Sequence, residues 1–138
     1  MSILVTGGLG FIGTHLSRKL ESTGYNIHIF DRSRITRDRY YRGDINDYHS
    51  LERAFEEARP ELVIHLAGMV SRKECEETPN LAIATNAGGT YNVCALCLKH
   101  GARVIYVGSS EEYGTALGTE IVVNENTPFG EPTSIYSM

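Results

Sequence analysis

Apolar positions along the chain change period several times, and the changes mark out alternating strands and helices. A short apolar run, Ile3-Leu4-Val5, leads at once into Thr6-Gly7-Gly8-Leu9-Gly10-Phe11-Ile12-Gly13. Ile12, Leu16 and Leu20 then recur at helical spacing until Gly24, and a second run, Ile27-His28-Ile29-Phe30, ends on Asp31. An arginine-rich connection leads to a third strand expected at 39–42 and then to Gly43-Asp44-Ile45. Asp47 is placed to cap a helix whose Tyr48, Leu51, Ala54, Phe55 and Ala58 share one face, with Pro60 as its stop. Residues 61–66 form a near-continuous apolar run, as in a parallel strand buried on both faces. The polar stretch 69–79 is expected to be a loop or a short helical turn. A long helix over about 80–99 follows, closed by His100-Gly101, with Leu81, Ala84, Gly88, Tyr91, Ala95 and Leu98 as a close-packing stripe. A fifth strand is expected at 103–107. The remainder, punctuated by Gly114, Gly118, Pro128, Gly130 and Pro132, is loop with at most a short strand at 121–123.

Strands alternating with helices imply one α/β domain over residues 1–138, a Rossmann-type doubly wound parallel sheet in the order 3-2-1-4-5. Its switch point lies between the first and fourth strands, where Gly7 to Gly13 and Ala67-Gly68 are expected to meet. Glycines let the backbone turn tightly and approach a pyrophosphate without a Cβ in the way. The helix opening at Gly10-Phe11-Ile12 would aim unpaired N–H groups and its positive dipole end at that anion. Gly13 would allow the helix to lie close on the strand, and the Asp31 carboxylate would accept hydrogen bonds from adenosine ribose hydroxyls. Strand, glycine turn, helix, strand and acid in that order form a dinucleotide-binding unit.

Composition adds little against this picture. Apolar content of 41% and charged content of 22% are ordinary for a globular chain, and 138 residues suffice for a real core. A net charge of −4 offers no general attraction to nucleic acid or to an anionic membrane. Arg32, Arg34, Arg37, Arg39 and Arg42 are the local exception, either a solvated basic loop or a phosphate contact. No apolar run approaches the roughly 20 residues that cross a bilayer, and Met1 leads straight into a strand, so no signal peptide is expected. Cys75, Cys94 and Cys97 are expected as reduced, buried thiols in a cytoplasmic protein. No pair of the five histidines has ligand spacing, and no metal is expected.

The chain resembles the NAD-dependent epimerase/dehydratase family, extended short-chain dehydrogenase/reductases that act on nucleotide sugars. The resemblance rests on the glycine segment Thr6 to Gly13, Gly43-Asp44-Ile45, His65-Leu66-Ala67-Gly68, Asn86-Ala87-Gly88-Gly89-Thr90-Tyr91-Asn92-Val93, Gly108-Ser109-Ser110-Glu111-Glu112-Tyr113-Gly114 and Pro132-Thr133-Ser134-Ile135-Tyr136, in family order. It implies that Gly7, Gly10, Phe11, Ile12 and Gly13 hold the pyrophosphate and Asp31 the ribose. Asp44 and Ile45 would contact adenine, Leu66, Ala67 and Gly68 would line the cofactor, and Asn86 would order the site. Asp31 favours NAD, since a carboxylate repels a 2′-phosphate; Arg32 leaves NADP open.

The same resemblance implies Ser109 as the catalytic hydroxyl and Tyr136 as the catalytic tyrosine. A phenol with a pKa near 10 is a poor base at neutral pH, and in the family a lysine four residues after the tyrosine lowers it. That position falls beyond Met138, as do the later strands and the substrate domain. The chain is therefore expected to be a cofactor-binding half, inactive alone, whose fifth strand is an exposed edge. Glu111 stands where sugar dehydratases carry the glutamate that removes the C5 proton. Epimerase, dehydratase and 4-reductase chemistry remain open, as does a dinucleotide-binding module without turnover. The resemblance implies a nucleotide-sugar substrate for the full-length protein and a homodimer or other homo-oligomer, with no nucleic-acid or membrane partner.

Overall fold

Alternation along the strands builds two apolar layers, one on each face of a single sheet. A computed structural model of the chain describes residues 1–118 and 122–137. It divides into two compact units, Met1–Gly68 with Ala84–Val107 and Met69–Ile83 with Gly108–Met138.

In the first unit the strands are β1 (Ser2–Thr6), β2 (Asn26–Asp31), β3 (Tyr40–Arg42), β4 (Leu62–His65) and β5 (Arg103–Tyr106), and the first two helices are α1 (Phe11–Ser22) and α2 (Tyr48–Ala58). Every strand pair is parallel and the order is β3-β2-β1-β4-β5, as the alternation of strands and helices requires. Ile3, Val5, Ile27, Ile29 and Ile64 pack on one face with Leu16 and Leu20 of α1. Leu4, Phe30 and Val63 pack on the other with Leu51, Phe55, Val93 and Leu96. Phe30 and Phe55 are buried, each stabilising the fold by about 2–3 kcal/mol. All four β5 residues are exposed, and among the described residues β5 is the edge of the sheet.

The helix faces differ in detail from the sequence pattern. In α1 the buried positions are Gly13 and Ser17, with Leu16 and Leu20 alongside, while Ile12 is 57% exposed. With no side chain at Gly13 and a small one at Ser17, the helix lies close on the sheet, and the apolar stripe is turned accordingly. Asp47 caps α2 as expected, its Oδ1 accepting the Ser50 N–H at 3.2 Å. The helical region after β4 is broken into pieces: α3 (Arg72–Glu77), α4 (Pro79–Ile83), a π-helical turn over Ala84–Gly89, and α5 (Thr90–His100). The expected packing stripe faces outward, with Ala84, Gly88, Tyr91 and Leu98 exposed. Val93, Leu96 and Cys97, on the opposite side, meet the sheet. Cys75 and Cys97 are buried free thiols, but Cys94 is exposed. The helical stretch Pro79–His100 is long and apolar enough to cross a membrane by length and composition alone, its most apolar 18 residues reaching a mean hydropathy of 1.2. Asn80, Asn86 and Asn92 interrupt the stretch, which is why no apolar run stands out there.

The second unit holds α3, capped by Ser71, where the sequence offered a loop or short helical turn, and α4, the start of the long helix expected from about residue 80. It also contains 3-10 segments at Ser110–Gly118 and Ile135–Ser137. Glu76 accepts the Ile135 N–H at 2.8 Å and Arg72 donates to the Thr133 carbonyl at 3.2 Å, fastening the second segment to α3. Residues 122 and 123 are not strand, and residue 121 of that expected strand lies outside the described residues.

Candidate functional site

At the carboxyl ends of β1 and β4, where the strand order reverses, Thr6 lies opposite His65. The chain leaves β1 through Gly7, whose φ of +69° suits glycine. A Cβ there would stand 2.7 Å from the Ala67 amide nitrogen and 2.9 Å from its Cα. A Cβ on Gly13 would overlap the Gly7 carbonyl oxygen and come within 2.6 Å of the Gly8 Cα. Both positions exclude any side chain. Gly10 is the extended N-cap of α1 and offers no capping side chain. The first helical bond, Thr14 N–H to the Gly10 carbonyl at 2.9 Å, leaves the Phe11, Ile12 and Gly13 amides without helical acceptors. Those three donors and the dipole behind them suit an anion.

Asp31 ends β2 beside this turn. Its Oδ2 accepts the Leu9 N–H and its Oδ1 the Ser33 N–H, each at 3.0 Å, so the carboxylate is fixed against the glycine segment. Arg32, largely exposed, lies 3.8 Å from Asp44 Oδ2. Asp44 Oδ1 accepts the Asn46 N–H at 2.9 Å. Ile45 is 4% exposed, its side chain in the core beside Gly89 and its carbonyl accepting from Asn92 Nδ2 at 2.9 Å. A ligand contact from Ile45 would come from its main-chain N–H. Leu66 and Ala67 follow β4 half-buried, and Asn86, on the π-helical turn, brings its Oδ1 over Gly68. All these cofactor-side positions belong to the first unit.

Beneath them runs a buried polar chain. Ala67 N–H reaches Thr6 Oγ1 at 3.4 Å, Thr6 Oγ1 lies 2.6 Å from His65 Nδ1, and His65 Nε2 lies 3.0 Å from Thr90 Oγ1. The consistent donor assignment has Thr6 donating to Nδ1 and Nε2–H donating to Thr90. Burial pushes the His65 imidazole down to about 4 from its ordinary 6.5. An unfolded chain therefore takes up the proton first. His65 contributes its full stability above pH 6.5 and loses it as the pH falls toward 4, a loss of about 2 kcal/mol at pH 5. Urea unfolding at pH 7.5 and pH 5.0 should show that decrease in the wild-type chain and a smaller one in His65→Gln. Equal decreases in both chains would contradict the assignment.

The second unit carries the other candidates. Ser109 Oγ accepts the Glu111 N–H at 3.2 Å, and the Ser109 N–H donates to Glu112 Oε1 at 3.1 Å, a local cap on the 3-10 segment. Glu111 is half-buried. Tyr136 lies half-buried in the segment held by α3 and shares no hydrogen bond with Ser109 among the described residues. Among the described residues no three His, Cys, Asp or Glu side chains cluster as metal ligands.

The glycine segment, open helix amides and anchored acid fit an adenosine diphosphate moiety, so the residues present suit the dinucleotide that the sequence resemblance implies. The π-helical turn and the Asn92 contact were not legible in the motifs, although the pair Gly88-Gly89 inside a helix marks a break in regular packing.

A family model described as the NAD-dependent epimerase/dehydratase family matches residues 3–138. UDP-glucose 4-epimerase of Bacillus subtilis (strain 168) is 30% identical over 145 residues, 94% of this chain and 42% of the relative. UDP-glucuronate 4-epimerase 2 of Arabidopsis thaliana is 30% identical over 99% of this chain and 35% of its own length. Among solved structures, UDP-glucose 4-epimerase of Thermus thermophilus in complex with NAD superposes with a TM-score of 0.88 at 31% identity, covering 99% of this chain and 46% of that one. Bifidobacterium longum UDP-glucose 4-epimerase with NAD+ and UDP gives 0.88 at 29% identity, covering 99% and 45%. The chain thus spans less than half the length of these relatives.

Proposed function

The chain belongs to the NAD-dependent epimerase/dehydratase family, and from that premise we propose that it is the dinucleotide-binding part of an NAD-dependent nucleotide-sugar 4-epimerase. The observation that carries this reading is the side-chain-free turn at Gly7 and Gly13 facing unpaired helix amides, with Asp31 fixed beside it. The Phe11 and Ile12 amides hold the diphosphate, Asp31 takes the adenosine ribose hydroxyls, and Asp44 with the Ile45 N–H meets the base. Leu66, Ala67 and Gly68 line the cofactor and Asn86 orders that wall. NAD, when bound, supplies the hydride acceptor for transient oxidation of a sugar hydroxyl. Tyr136 accepts the proton of that hydroxyl, and Ser109, whose O–H is still able to donate, steadies the same oxygen. The whole protein acts on a nucleotide sugar as a homodimer or other homo-oligomer in the cytoplasm, a reading supported by the free thiols Cys75, Cys94 and Cys97.

Glu111 supports a second reading, a sugar dehydratase in which its carboxylate removes a carbon-bound proton. Its half-burial beside Ser109 is what favours that.

Calorimetric titration tests the binding reading. NAD and adenosine diphosphate are expected to bind the chain one to one and to compete with each other. No binding of either ligand at about 1 mM, the weak end of specific affinity, would sink it.

A further inference from the structure

One face of the helical stretch over residues 84–100 does something the core does not require. Thr85, Gly89 and Asn92 follow one another at helical spacing and all address the turn that carries Asp44. Thr85 Oγ1, in a residue only 8% exposed, accepts from Asn46 Nδ2 at 3.2 Å. Gly89 is tight against Ile45, since a Cβ there would approach Ile45 Cγ1 to 2.6 Å. Asn92 Nδ2 donates to the Ile45 carbonyl at 2.9 Å. Apolar packing alone would be served by Val93 and Leu96. Two side-chain amides instead hold the main chain between Asp44 and Asp47 at a set depth. From there the Asp44 carboxylate, with one oxygen already on the Asn46 N–H, keeps the other for Arg32 or a ligand.

We propose that the Thr85–Gly89–Asn92 face, through Asn92, is the positioning element for the nucleoside base, fixing Asp44 so that it selects a base bearing an exocyclic amine. This rests on the adenosine reading above and adds to it the residues that set base selectivity. An amine donates to a carboxylate, whereas a 6-oxo group in the same place presents an acceptor to an acceptor and is rejected. Discrimination here comes from that acceptor-to-acceptor clash, since the half-exposed Asp44 carboxylate keeps Arg32 or water as its partner when the base offers no donor. Asn92 touches neither base nor phosphate in this scheme; it acts only through the Ile45 main chain.

The probes are adenosine diphosphate, inosine diphosphate and inorganic pyrophosphate, titrated into the whole chain. Wild type is expected to bind adenosine diphosphate about tenfold more tightly than inosine diphosphate, a single hydrogen bond's worth. Asn92→Leu, close in volume but without the donor, is expected to bring that ratio to about one while leaving pyrophosphate affinity unchanged. A merely structural role would weaken all three ligands together and leave the ratio intact. Thr85→Val, which removes only the second contact, covers the case in which Asn92→Leu does not fold, and is expected to lower the ratio about threefold. A folded variant that keeps the wild-type ratio overturns the positioning role alone. A wild-type chain that binds adenosine diphosphate no better than pyrophosphate overturns the adenosine reading and this proposal with it.

Discussion

Gly13→Ala is expected to abolish dinucleotide binding, with affinity for NAD falling at least about 100-fold, and to cost the fold about 2–3 kcal/mol. The added methyl would meet the Gly7 carbonyl oxygen and the Gly8 main chain, not the tip of a side chain that could swing away. Either α1 lifts off the sheet or the Gly7 turn opens, and both displace the Phe11 and Ile12 amides from a shared anion. Gly88→Ala is the matched control. Its Cβ would meet nothing within 4 Å, and replacing a helical glycine should leave binding unchanged while raising stability by about 0.5–1 kcal/mol. Calorimetry for affinity and urea unfolding for stability check both variants. If Gly13→Ala binds NAD like wild type, the close approach of α1 to the turn is irrelevant to the ligand.

Asp31→Asn is expected to weaken NAD and adenosine diphosphate by about 10- to 100-fold, the range for losing charge-assisted hydrogen bonds. The amide keeps one acceptor for the Leu9 or Ser33 N–H but no longer draws two ribose hydroxyls to a negative charge. Inorganic pyrophosphate should bind as well as before or slightly better, because a carboxylate has gone from beside its site. The loss should be smaller for NADP than for NAD, since the 2′-phosphate no longer faces that charge and Arg32 stands next to it. Competitive titration of the four ligands reads all of this in one experiment. Equal affinities for NAD in the two chains would remove Asp31 from the binding site.

The sheet and the glycine turn were legible because they are written in short, local signals. Ile3-Leu4-Val5 reads as a strand because a glycine turn, a helix and a second apolar run follow it in order, and a turn that must clear a helix and a neighbouring strand has no alternative to glycine at Gly7 and Gly13. The meeting of Gly7 with Ala67, remote in sequence, followed from strand order alone and holds to within 2.7 Å of a missing Cβ. Helix rotation was another matter. Ile12 looks like core by apolar spacing yet is exposed, while Gly13, expected close on the strand, and Ser17 are buried; in α5 Val93 and Cys97 face the sheet and the stripe through Gly88 and Tyr91 does not. Small residues win the buried side where helix and sheet must lie close, and apolarity does not rank them above a large neighbour. The π-helical turn at Ala84–Gly89 was hidden for a related reason: one extra residue in a turn leaves the composition unchanged and shows only in which side chains reach Ile45 and Asn46. Ser109, Glu111 and Tyr136 are candidates through family resemblance alone, since a hydroxyl, a carboxylate and a phenol in loop-like stretches carry no periodic signal.

The central claim is that bare peptide nitrogens at the start of α1 receive the diphosphate of NAD. A crystal structure of the chain grown with NAD tests it most directly. Diphosphate oxygens within hydrogen-bond distance of the Phe11 and Ile12 N–H groups, with the adenosine ribose on Asp31, are the predicted result. NAD ordered elsewhere on the chain, with the Gly7–Gly13 turn in contact with solvent alone, would contradict it.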